Sequence, residues 1–130
     1  MIYNGLILGA FVGLHHNRDL TYEFIGWLSI HGVTEFLAIW LCGAAGLLIA
    51  DKALFPDRYS RIQSLAIHGR LAARVALGAV LLFFAAAILE GCFRQIVQST
   101  ELRYAIGWGM GLLWLLYFVS AGWRRGAEWR

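Results

Sequence analysis

Glu35 stands inside an apolar segment and is followed by fifteen residues that carry no formal charge. An ionisable group within a membrane-length segment is costly unless it is paired, neutralised or hydrated, which makes it the first candidate for chemistry. His31 lies four residues earlier and therefore on the same helix face. Glu90 sits near the end of a second such segment, and Arg94, four residues on, is its natural counter-ion. One imidazole with two carboxylates leaves open coordination positions and suits zinc or iron. The spacing His31-x-x-x-Glu35 is not the metalloprotease pattern, because the second histidine is missing. Three readings of His31, Glu35, Glu90 and Arg94 stay open. All four form a polar network that fixes helix register; His31, Glu35 and Glu90 hold a divalent metal in a metal-dependent intramembrane hydrolase; or those three serve a proton-coupled transporter. The chain shows no complete catalytic set, and the first reading carries no cofactor.

The elements that must position these residues are set by composition. Hydrophobic residues make up 60% of the 130 and charged residues 15%, with a single proline at Pro56. Mean hydropathy is +0.64. Ordinary soluble domains are less apolar and more charged, so these values point to an integral membrane protein. No basic run interleaved with aromatics suggests nucleic acid. Cys42 and Cys92 lack any CxxC spacing and read as small packing residues. The opening has neither a basic stretch nor a small-residue cleavage pattern, so Met1 is expected to begin the mature sequence.

Four membrane-embedded segments are predicted at about 2–14, 30–50, 71–93 and 104–123, in one helical domain over 1–130. The last three are long enough to span; the first, near 20 Å, falls short of a hydrocarbon core of roughly 30 Å. Residues 20–29, interrupted by Glu23 and Gly26, read as a separate interfacial helix with Trp27 in the aromatic belt. Ser29 then caps the second segment. Residues 57–70 form an amphipathic stretch ahead of the third, its His68 an interfacial residue and its arginines facing anionic lipid. The expected fold is an all-α, multi-pass transmembrane bundle with interfacial helices.

Orientation follows from the basic residues. Lys52, Arg58, Arg61, Arg70, Arg74, Arg124, Arg125 and Arg130 lie on one side, against Arg18, Arg94 and Arg103 on the other. Those eight place the second connection and the C-terminus in the cytoplasm, and four spans place the N-terminus there as well. His31, Glu35 and Glu90 then share one depth near the outer face. Gly5, Gly9 and Gly13 repeat at four-residue spacing, as do Gly107 and Gly111, while Ala38, Cys42, Gly46 and Ala50 form a small-residue stripe. Such ridges let helices approach closely in lipid. The expected partners are membrane lipids and either other membrane proteins or further copies of the chain.

The stretch 29–47, SIHGVTEFLAIWLCGAAGL, resembles the "pHG..El.ai.iagaaGl" signature of the stage II sporulation protein M family. The upstream NGLILG at 4–9 is similar to that family's "NG..lG", and AILEG at 87–91 to its "a..iEg". The resemblance covers nearly the whole chain. It lays the family's His-Gly-Glu on His31, Gly32 and Glu35, and its later Glu-Gly on Glu90 and Gly91. Ile30 stands where the family usually has proline, and relatives generally carry a further N-terminal portion. In spore-forming bacteria the family resembles a scaffold of the engulfment machinery that recruits septal peptidoglycan hydrolases. The resemblance therefore implies a scaffold or accessory subunit of a cell-envelope complex in the inner membrane, and no defined reaction.

Overall fold

A computed structural model describes residues 2–56 and 58–128, with the side chains of 94 and 123–128 left aside. The described residues form four helices: α1 (Ile2–His16), α2 (Thr21–Leu54), α3 (Arg61–Ile96) and α4 (Thr100–Glu128). Three are long and apolar enough to cross a membrane, α2, α3 and α4. At 1.5 Å per residue the 34 residues of α2 reach about 51 Å, well beyond a hydrocarbon core of roughly 30 Å. The 15 residues of α1 reach only about 22 Å, and none is buried.

Helix boundaries differ from the sequence expectation at two places. Residues 20–29 are not a separate interfacial helix but the opening turns of α2, and Ser29 caps nothing: its hydroxyl donates to the Ile25 carbonyl at 2.7 Å, one turn back. Neither Glu23 nor Gly26 breaks a helix whose backbone bonds are already satisfied. Residues 61–70 likewise run without interruption into α3. The breaks fall where capping chemistry is local. Between α1 and α2, Leu20 N–H donates to the His15 carbonyl (2.9 Å) and Asp19 N–H to the His16 carbonyl (3.1 Å). Asp19 has φ 57°. This is the paired-bond helix ending in which one left-handed residue reverses the chain, a conformation aspartate tolerates better than most. At the start of α3, Ser60 and Gln63 form a reciprocal capping box: Gln63 N–H donates to Ser60 Oγ (3.3 Å) and Ser60 N–H to Gln63 Oε1 (3.2 Å). Ser99 caps α4 by accepting from Leu102 N–H at 3.4 Å.

By compactness the chain divides into residues 34–88 and residues 1–33 with 89–130. The first unit is an antiparallel pair. The Ser64 hydroxyl donates to the Lys52 carbonyl at 2.8 Å, tying the start of α3 to the end of α2, while Cys42 and Ala45 share a groove with Ala76 and Ala72 further along. Its buried apolar residues are alanines at heptad spacing: Ala38 and Ala45 on α2, and Ala72, Ala79 and Ala86 on α3. A repeat of seven keeps a seam facing its partner along two supercoiled helices, and methyl-sized side chains let the backbones close in. The expected four-residue stripe fits this only in part. Ala38 lies in the seam, whereas Cys42, Gly46 and Ala50 are exposed.

In the second unit α2 and α4 run parallel. Tyr22 stacks on Tyr104 with centroids 5.1 Å apart, and the Tyr104 hydroxyl donates to the Tyr22 carbonyl at 3.1 Å. Further along, Ser29 faces Gly107 and Val33 faces Gly111. A Cβ on Gly107 would stand 2.7 Å from both the Ser29 Cβ and its carbonyl oxygen, and one on Gly26 2.8 Å from Thr100 Cγ2. Gly111 has only an ordinary contact, 3.6 Å from Val33 Cγ1, and nothing lies within 4 Å of Gly5, Gly9, Gly13 or Gly46. Of Gly5, Gly9, Gly13, Gly46, Gly107 and Gly111, Gly107 alone meets a neighbouring backbone among the described residues; Gly26, not foreseen, meets the side chains of Thr100 and Tyr104.

Candidate functional site

His31 lies on α2, 4% exposed, with its ring edge-on to Trp27 at 5.2 Å and an interplanar angle of 72°. Glu35 follows one turn later on the same helix and is half-buried; Glu90, on α3, is half-buried too. Among the described residues neither carboxylate has a hydrogen-bond or ion-pair partner. The side chain of Arg94, expected as the counter-ion of Glu90, lies outside the described residues, as do Trp123, Arg124, Arg125 and Arg130 in the C-terminal tail. Among the described residues no group of three or more histidine, cysteine, aspartate or glutamate side chains is placed to hold a metal ion. His31 and Glu90 belong to one compact unit and Glu35 to the other. Shared depth is a statement about height in a bilayer; coordination also demands that side chains converge within about 2 Å of one point.

What the structure does gather is a row of rings around the start of α2. The His15 ring N–H donates to the Phe11 carbonyl at 2.8 Å and its face stacks on Phe24, centroids 4.2 Å apart. Phe24 in turn lies against Trp27 at 6.0 Å, and Trp27 against His31. Residues 20, 24, 27 and 31 follow the 3–4 spacing of one helix face, which is why these side chains line up. Beside this row opens a pocket of about 560 Å³ lined by Phe11 and His15 of α1, Leu20, Glu23, Phe24 and Trp27 around the start of α2, and Arg103 of α4. The volume lies within the range of small-molecule sites.

Its two charged residues are placed differently. Arg103 is anchored, because its Nε–H donates at 3.0 Å to the carbonyl of Val97, in the link between α3 and α4. That leaves the remaining guanidinium N–H groups for another acceptor. Glu23 is exposed and has no hydrogen-bond or ion-pair partner among the described residues. Sequence reading placed Trp27 in an aromatic belt but missed that Glu23 and Arg103 line one pocket. The two are eighty positions apart, and only the parallel packing of α2 on α4 joins them.

Comparison with known proteins bears on the same segments. No curated protein and no solved structure matches the chain. The family model described as stage II sporulation protein M matches residues 1–93, which include α1, all of α2 and α3 through Phe93, with His31, Gly32, Glu35, Glu90 and Gly91 among them. Together with three membrane-length helices, a match over that much of the sequence shows that the chain is a membrane protein belonging to the stage II sporulation protein M family.

Proposed function

We propose that the protein is a membrane scaffold or accessory subunit, organising a cell-envelope complex from the cytoplasmic membrane. Family membership over residues 1–93 carries this reading. The state of α1 supports it: the helix buries no residue, and Gly5, Gly9 and Gly13 leave a face with open space where side chains would stand. A glycine face that meets no described residue of its own chain suits contact with another membrane helix. Purification in mild detergent is expected to recover a partner protein in stoichiometric amount, and Gly9→Leu is expected to lose that partner while leaving the chain's own thermal unfolding unchanged. A lone monomer in the wild type overturns the reading. So does undiminished partner recovery in G9L together with a second variant, Gly13→Leu.

A further inference from the structure

The pocket at the start of α2 has the chemistry of a head-group site. We propose that it binds a zwitterionic phospholipid whose head carries a primary ammonium and a phosphodiester, the ammonium against Glu23 and the phosphate against Arg103.

Four observations converge on this occupant. First, Glu23 and Arg103 are of opposite sign, line one cavity, and are not joined to each other by an ion pair. Opposite charges held apart around a shared space match a ligand that carries both. A singly charged ligand would leave one wall uncompensated. Second, the guanidinium is fixed through Nε by the Val97 carbonyl, so its remaining N–H donors are presented without a further loss of side-chain freedom. Third, Phe24 and Trp27 offer ring surface to a cation, and indole faces are the strongest aromatic partners of an ammonium. Fourth, Phe11 and Leu20 provide an apolar wall where acyl chains would continue, and Phe11 belongs to α1, of which no residue is buried in the chain. The location agrees. The pocket lies by Thr21 and Thr100, where the parallel α2 and α4 both begin, and the ends of spanning helices are where lipid head groups sit. His15, whose Nδ1–H is committed to the Phe11 carbonyl, also lines the pocket. The proposal rests on membrane placement alone and stands or falls independently of the scaffold reading.

Native mass spectrometry of the full chain in mild detergent, titrated with matched-chain phospholipids bearing ethanolamine, choline or glycerol heads, tests it. The ethanolamine lipid is expected to bind best. Glu23→Gln is expected to erase most of its advantage over the glycerol lipid, about tenfold for one lost charge-assisted contact. Glu23→Lys is expected to reverse the order in favour of the anionic glycerol lipid. Because Glu23 is exposed and unpartnered, neither variant threatens the fold, which unchanged thermal unfolding verifies. Arg103→Gln is expected to weaken all three phospholipids alike. Equal binding of the three head groups by the wild type overturns the proposal, as does an order of preference unmoved by Glu23→Lys. Phosphoethanolamine without acyl chains is expected not to bind. Binding of that compound as tight as the lipid's identifies a soluble ligand and overturns the lipid assignment.

Discussion

Gly107 meets α2 at its backbone, not merely at a side chain, and that decides what replacing it does. A methyl group there would stand 2.7 Å from the Ser29 carbonyl oxygen, which cannot swing aside as a side-chain tip does. Gly107→Ala is therefore expected to destabilise the chain by about 1–3 kcal/mol, the usual range for overpacking. Gly109, two residues away, has nothing within 4 Å, so Gly109→Ala is expected to be neutral or to stabilise by up to about 1 kcal/mol through helix propensity. Thermal unfolding of the pair in one detergent measures the contrast; equal midpoints would sink it. At this scale the sequence was legible for residue type and opaque for direction. His31, singled out by its four-residue spacing from Glu35, is 4% exposed. The same reasoning gave Gly5, Gly9 and Gly13 the same weight as Gly107, because a glycine's spacing reveals that a close approach is allowed, never that a neighbour arrives.

The alanine seam between α2 and α3 belongs to the scale of elements. A period of four drifts around a straight helix, whereas a period of seven follows a gently supercoiled one, and the buried residues obey the second. This explains why Cys42 and Gly46, expected in the tight face, are exposed while Ala45 is buried. Lipid cancels the hydrophobic gain of association, so the seam holds through close packing, which a larger side chain prevents. Ala79→Leu on α3 is accordingly expected to lower stability by about 1–3 kcal/mol. Ala87→Leu, on an exposed face of the same helix, is expected to change little. Indistinguishable unfolding of the two variants would show that the seam does not bear on stability. Helix existence was readable from apolar run length alone; helix ends were not. The capping box at Ser60 and Gln63 and the left-handed Asp19 depend on single local hydrogen bonds that hydropathy does not register.

For the molecule as a whole the distribution of charge and the direction of the helices make one joint prediction. α2 runs antiparallel to α3 and parallel to α4, as three successive crossings require. With Lys52, Arg58 and Arg61 around the α2–α3 connection, that connection is expected on the cytoplasmic side and the turn at Asp19 on the other. In a chain with Cys42 and Cys92 replaced by serine, Asp19→Cys should react with a membrane-impermeant maleimide on intact cells, and Arg58→Cys only after permeabilisation. The reverse pattern would invert the topology. The membrane class and the family were both legible in the sequence, the one through composition and the other through the HG..E and Glu-Gly motifs. The pocket was not, since it joins α1, α2 and α4 through contacts that no local pattern encodes.

That parallel contact of α2 with α4 also sets a timetable for biogenesis. Tyr22 and Tyr104 are 82 positions apart, so the ribosome has released the Gly26–Ser29 face of α2 long before Gly107 exists to meet it. At roughly 5–20 residues per second that interval is on the order of 4–16 s. Throughout it, α2 lies in the membrane as half of an interface. A nascent chain halted in that window leaves uncovered the notch of glycine and serine that α4 later fills.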